Sequence, residues 1–239
     1  MSRLCNLMDS YYYADYEDNW DDEIFRKRLL SKDLRSLNIL DIGAGAGIVP
    51  QMNFKGIAAR VCGIDPDARV LKNFNLDEGR IAYGENVPYP DQSFDLIFCD
   101  NVLEHLPEPE KVFQEISRLL RPGGLFLAKT PNKWHYMPLI ARLTPHWFHE
   151  WVNRWRGREG MDVFPTKYLA NAEGDLRRLA ILSGLQVNRI EYIEGRPEYL
   201  RMSALTYFLG LVYERIVNSM PILARFRILL IIELQRNEK

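Results

Sequence analysis

Four stretches of the chain carry residue types whose spacing could do chemistry. In Ile39–Gly47, ILDIGAGAG, three glycines occupy alternate positions 43, 45 and 47. Such a turn lets backbone swing sharply and meet a ligand with no side chain between them. Dinucleotide sites space their glycines G-x-G-x-x-G. Here position 48 is Ile and the third glycine falls one place early, which counts against a nicotinamide cofactor. Twenty residues after Gly45, the run Val61-Cys62-Gly63-Ile64 ends in Asp65-Pro66-Asp67. A carboxylate at the end of that run can accept both hydroxyls of an adenosyl ribose. Its plainer reading is a solvated turn residue ahead of Pro66.

The other two stretches concern proton transfer and acceptor recognition. His105, in Leu103-Glu104-His105-Leu106, can titrate near neutrality and is the candidate base. The plainer reading is that it packs on a cofactor and orders its loop. Between Asn132 and Trp155 lie three of the four histidines (His135, His146, His149) and four of the five tryptophans (Trp134, Trp147, Trp151, Trp155). From Asn132 to Gly160 there are five basic residues, Arg154 among them, against two acidic ones. Amphipathic aromatics with arginine suit an apolar acceptor bearing an anionic group. We take Trp134, His135, His146, Trp147, His149 and Arg154 as candidate acceptor residues. The alternative is a helical cover with its tryptophans in the core.

These residues need elements to position them. Leu37–Ile42, Arg60–Ile64, Asp95–Cys99 and Leu125–Thr130 are apolar runs that read as buried strands. A helix is expected after the glycine turn, and helical patterns cover Ile24–Leu37 and Pro109–Leu120, where Val112, Phe113, Ile116 and Leu119 share a face. Alternating strands and helices predict an α/β, doubly wound, mostly parallel sheet. Further on, Thr166–Leu185 reads as a helix, Gln186–Glu194 as a strand, Glu198–Asn218 as a helix apolar on most faces, and Phe226–Gln235 as a last strand.

Four ordered blocks, ILDIGAGAG, VCGIDPD, ENVPYPDQSFDLIFCDNVLEHL and LLRPGGLFLAKTPN, span about residues 37 to 132. In them the chain resembles the type 11 family of class I S-adenosylmethionine-dependent methyltransferases, which includes ubiquinone- and menaquinone-biosynthesis enzymes. The resemblance implies a seven-stranded sheet with its last strand antiparallel, and S-adenosyl-L-methionine as cofactor, leaving as S-adenosyl-L-homocysteine. It implies that Asp41 and the turn Gly43, Ala44, Gly45 and Gly47 hold the methionine end, and that Asp65, followed by Pro66, holds the ribose. Gly84, Glu85 and Asn86 would line the adenine pocket, and Asp100 and Asn101 would face the sulfonium. The chain departs from the family at Tyr83, where an acidic residue is common. Either Glu85 or a backbone carbonyl then takes the adenine amino group, or cofactor affinity is weaker than usual; alternatively Tyr83 simply packs beside the ring. A quinone-methylating subgroup binds metal through Glu, Glu and His. Here those positions read Asn101, Glu104 and His105, and an amide weakens a hard-cation site, so no metal is expected.

The segments follow from these motifs: a helical lead-in (1–36), a cofactor-binding core (37–132), an aromatic cap or lid (133–165), and a C-terminal completion of the sheet (166–239) with an apolar helical insertion (198–218). A net charge of −1 gives no footprint for nucleic acid. Cys5, Cys62 and Cys99 are odd in number and widely spaced, which suits reduced core thiols. No signal-peptide pattern opens the chain, and its longest uncharged C-terminal stretch, Met202–Tyr213, falls short of the ~20 residues that span a bilayer. A cytoplasmic enzyme acting on a small-molecule acceptor is expected. The 198–218 insertion is open to three uses: a substrate pocket, a homodimer face or peripheral membrane contact. Rival readings are a catalytically silent cofactor-binding scaffold and, against the glycine spacing, a nicotinamide-dependent oxidoreductase.

Overall fold

A computed structural model describes residues 3–16, 19–143 and 165–238. Its centre is a seven-stranded sheet in the order β3-β2-β1-β4-β5-β7-β6. The strands are β1 (Asn38–Ile42), β2 (Arg60–Asp65), β3 (Glu78–Ile81), β4 (Phe94–Asp100), β5 (Leu120–Pro131), β6 (Leu185–Ile193) and β7 (Leu229–Arg236). All neighbouring pairs are parallel except those of β7, which runs antiparallel to both β5 and β6. β3, Glu78-Gly79-Arg80-Ile81, has no apolar run to mark it as a strand. It is a short edge strand, where charge is tolerated and guards the open edge.

Alternation along the strands sorts side chains into two apolar layers. Leu40, Ile97, Cys99, Phe126 and Ala128 point to one face, beneath α3 (Pro109–Leu119) and α5 (Glu173–Leu182). Ile39, Leu96, Phe98 and Leu127 point to the other, where Phe25 and Leu29 of α2 (Trp20–Leu30) meet Met52 and Phe54. The three cysteines are buried and form no disulfide.

Two helix expectations are corrected on that second face. No α-helix follows the glycine turn. Val49 precedes Pro50, a position disfavoured in the helical region, and takes extended angles (φ −97°, ψ 101°). Only a three-residue 3-10 turn forms at Pro50–Met52. α2 covers the gap instead, with Arg26 donating to the Gln51 and Asn53 carbonyls. α2 also begins four residues before Ile24, with Asp21, Asp22 and Glu23 in its first turn, where the helix dipole favours acids.

The later helices are shorter than their patterns. The helix expected over 166–185 is confined to α5, and Gly184 closes it at φ +68°. In the insertion, Glu198–Leu200 makes one 3-10 turn and α6 (Ala204–Ser219) starts afresh at Ser203, whose hydroxyl accepts the Thr206 N–H in a capping box. α4 (Tyr136–Leu143) leaves the tip of β5, and α1 (Arg3–Tyr12) packs against α6.

Candidate active site

The glycine turn is braced from both sides. Gly43 and Ala44 donate N–H bonds to the Ile64 carbonyl (2.8 and 3.1 Å), tying β1's exit to β2. Gly43 and Gly47 have φ of +84° and +72°, which glycine alone adopts without cost. A Cβ at Gly47 would stand 2.2 Å from Asn73 Oδ1, and one at Gly43 would stand 2.4 Å from Val102 Cγ2. The Asn73 amide donates to the Ala44 carbonyl (3.0 Å) and the Asn75 amide to the Gly47 carbonyl (3.1 Å). Asp65 is part of the brace: Oδ2 accepts the Gly45 N–H (2.9 Å) and Oδ1 the Asp67 N–H (2.8 Å). Each carboxylate oxygen keeps a second lone pair for a ligand.

Strand alternation places Asp41, Asp65 and Asp100 on the α2 face at the carboxyl ends of β1, β2 and β4. Burial pushes the Asp41 carboxyl well above its ordinary value, and the charges of Asp100 and Asp65 push it further. Asp100 rises to about 7 through burial, with Asp22 and Asp21 adding to the rise against the pull of Lys129. Lys129 stands beside Asp100 in the β4–β5 register and is fully buried. Its Nζ lies 2.8 Å from Asp21 Oδ2 and 3.0 Å from Asp100 Oδ1, and it also contacts Asp22. Burial alone would lower its pKa, but the three carboxylates together raise it. Lys129, Asp21 and Asp22 were missed from sequence, although a lysine inside the apolar run LFLAKTP was a usable signal.

Two clefts open along this edge. One, about 240 Å³, is lined by Asp41, the turn from Gly43 through Val49, Asn73 and Asp100. The other, about 300 Å³, is lined by Asp65, Pro66, Tyr83, Gly84, Glu85, Asn101 and His105, among others. Gly43 and Asp100 line both, so the two clefts adjoin. The structure thus brings together every sequence-derived cofactor residue except Asn86, which is exposed and outside both linings. Asn101 turns out of β4 with φ +53°, a left-handed conformation that asparagine tolerates better than most residues. Tyr83 is 68% exposed at the rim.

His105 faces the second cleft, and its Nδ1 is 3.3 Å from the Pro165 carbonyl. A carbonyl only accepts, so that contact assigns the proton to Nδ1. Neighbouring Glu104 is buried, with Oε1 4.0 Å from His105 Nε2. It accepts the Thr130 hydroxyl (3.0 Å), which in turn accepts from the Asn171 amide (2.7 Å). Burial raises the Glu104 carboxyl to about 7. The Glu104 carbonyl also takes the Lys167 and Tyr168 N–H groups, so the chain returning from the aromatic segment is tied to the His105 turn.

The candidate acceptor residues divide. Trp134 is about half exposed beneath the Lys133 ammonium (5.8 Å) and lines neither cleft. His135 is corrected: it is 1% exposed and packs on Tyr136 and Tyr213. Its Nδ1 accepts the Met137 N–H (3.2 Å), and burial lowers its pKa to about 3. It is a core histidine, with Nε2 3.5 Å from Glu194 Oε2. His146, Trp147, His149 and Arg154 lie outside the described residues.

The family model for the methyltransferase domain matches residues 40–128. The chain belongs to the type 11 family of class I S-adenosylmethionine-dependent methyltransferases. It is 33% identical to the ubiquinone biosynthesis O-methyltransferase of Thiobacillus denitrificans over 181 residues, 69% of this chain and 71% of that protein. It is 34% identical over 101 residues to an uncharacterised methyltransferase of Mycobacteroides abscessus, covering 38% of this chain and 39% of that one. The chain spans 39% and 45% of the first two curated relatives it matches. A solved S-adenosylmethionine-dependent methyltransferase from Mesorhizobium loti shares the fold with a TM-score of 0.56 at 18% identity, over 93% of this chain and 99% of that one.

Proposed function

We propose that this protein transfers a methyl group from S-adenosyl-L-methionine to a small-molecule acceptor that is apolar with an anionic group, lipid- or quinone-like. The observation that carries the proposal is the meeting of Asp41, Asp65, Asp100 and the Gly43–Gly47 turn along two adjoining clefts, the second of which His105 lines. The buried, carboxylate-rich cleft fits a cofactor whose sulfonium and ammonium are cationic. Asp41 and the glycine turn would hold the methionine end, Asp65 and Pro66 the ribose, and Gly84 with Glu85 the adenine, with Asn86 at the mouth. Asp100 and Asn101 would face the sulfonium. When bound, S-adenosylmethionine supplies an electrophilic methyl carbon on a good, neutral leaving group.

The protein's own task is positioning and exclusion of water. The nucleophile must approach from the side opposite sulfur, which points the acceptor site toward Asn101 and His105. If the acceptor is a hydroxyl, its proton passes to Nε2 of His105, and the Pro165 carbonyl stabilises the proton already on Nδ1. The segment 133–165 serves as the acceptor's lid, because it leaves the tip of β5 and returns at the His105 turn. Relatives named as ubiquinone O-methyltransferases support oxygen as the acceptor atom.

Calorimetry tests this reading. S-adenosylmethionine and S-adenosylhomocysteine should bind at one site per chain and NAD should not. Binding of NAD alone would refute it. His105→Gln should then lower kcat on a hydroxyl acceptor at least about a hundredfold while leaving S-adenosylhomocysteine affinity unchanged. Equal loss of both would make His105 a packing residue.

A further inference from the structure

α6 carries more apolar surface than the fold consumes. Its inner face, with Tyr207, Gly210, Leu211 and Val217, is buried. Leu205, Phe208, Leu209, Val212 and Ile216 recur at helical spacing on the outer face and are 39–70% exposed. α1 lies against α6, with Cys5 packed beside Tyr207 and Leu211, and with Asp9 accepting the Tyr207 hydroxyl and pairing with Arg201. On its own outer face Leu4, Leu7 and Tyr11 are 60–78% exposed. Two packed helices therefore both turn a large apolar stripe to solvent, and soluble monomers rarely expose such a surface.

Charge decides between its occupants. The acidic side chains of these helices, Asp9 and Glu214, point inward: Glu214 takes the Tyr13 hydroxyl (3.1 Å) and the Asn218 amide (2.6 Å). The exposed charges of α6 and the turn after it are basic, Arg215 (59% exposed, with Nε 3.4 Å from Glu214) and Arg225. Asp15 is exposed beyond the end of α1, but it lines a separate groove with Glu23 and Lys27. In a two-fold contact with a second copy the helices would supply exposed arginines and no outward carboxylate to pair with them. An anionic lipid surface answers both the apolar stripe and the arginines.

The placement has a consequence for the site. β6 ends at Ile193 opposite Leu229, the first residue of β7, and Leu229 stands opposite Pro131 at the end of β5. The insertion bearing α6 therefore leaves and rejoins the sheet at the edge that carries Asp41, Asp65, Asp100 and His105.

We infer that the outer faces of α1 and α6 dock this protein on an anionic phospholipid bilayer. This rests on the exposed helix faces and not on the cofactor reading. The test is flotation of the full chain with vesicles of phosphatidylcholine alone and of phosphatidylcholine with phosphatidylglycerol. The protein should float with the anionic vesicles and much less with the neutral ones. Phe208→Glu with Leu209→Glu should cut the partition coefficient at least about tenfold, and Arg225→Gln about fivefold, both with an unchanged melting temperature. A double variant that fails to fold leaves Arg225→Gln, alone on a surface side chain, to decide. No flotation by the wild type, equal flotation with neutral vesicles, or unchanged flotation of Arg225→Gln would overturn the inference. So would a wild-type dimer that Phe208→Glu with Leu209→Glu turns into monomers without vesicle binding, which would make the patch a homodimer face.

Discussion

Replacing Lys129 by methionine tests the electrostatics of the site without touching the cleft's glycine turn. Methionine fills nearly the same volume, so packing changes little. The loss is a buried cation whose Nζ lies 2.8 Å from Asp21 and 3.0 Å from Asp100 and also touches Asp22. Removing one partner of a buried ion pair costs about 3–5 kcal/mol, because the other charges stay buried. For a chain of this length each kcal/mol lowers the melting temperature by about 2–4 °C, so a fall of about 6–20 °C is expected near pH 8. The sign of the pH dependence follows from Asp100. Its folded pKa of about 7 is above the unfolded value of about 3.9. Between those values the native state binds more protons than the unfolded one, so this group's contribution to stability declines as pH rises. Without Lys129 the native Asp100 pKa climbs further, so the variant's deficit should be largest at pH 8 and shrink toward pH 5.5. Calorimetric melts of both proteins at the two pH values measure this directly. In an Asp21→Asn/Asp22→Asn background the same substitution should cost less, since two of the stranded charges are gone. A deficit under about 2 °C, or one independent of pH, would refute the account of Lys129 as the counterion that holds Asp100.

The other predictions concern the loop, its brace and the cap. Gly47→Ala puts a Cβ 2.2 Å from Asn73 Oδ1 at φ +72°, so calorimetry should find S-adenosylmethionine binding weakened at least about tenfold, or 1.4 kcal/mol; unchanged affinity would show that the turn does not hold the cofactor. Asp65→Ala should weaken cofactor binding at least about tenfold and also lower the ligand-free melting temperature by several degrees, because Asp65 accepts the Gly45 and Asp67 N–H groups; a ligand-free melt equal to wild type would deny the brace. Trp147→Ala and Arg154→Ala should leave S-adenosylhomocysteine affinity within about twofold, while at least one of them lowers acceptor turnover about tenfold or more. Loss of cofactor binding and of melting temperature in both would place that segment in the core.

What was legible in the sequence follows the range of the interactions concerned. Parallel strands buried on both faces must be apolar throughout, so β1, β2, β4 and β5 announced themselves, and the glycine turn did so because positive φ restricts its residues. β3 was silent because an edge strand with Glu78 and Arg80 needs no apolar run. The cofactor cleft was readable because its residues sit at fixed offsets from strand ends. Lys129 obeys the same geometry, yet its role depends on Asp21 and Asp22 more than a hundred residues away, and no local pattern records such a pairing. α2 illustrates the same limit. Its own periodicity spoke of a short helix, but its place follows from Pro50, which denies the glycine turn a helix and leaves Met52 and Phe54 to be covered. His135 failed in the opposite direction: a histidine in a Trp- and Arg-rich stretch looks functional, while its burial between Tyr136 and Tyr213 is set by α6, which the chain reaches only seventy residues later. Interactions local along the chain leave a pattern in it. Those made between elements leave only a residue that looks out of place, such as a lysine in an apolar strand.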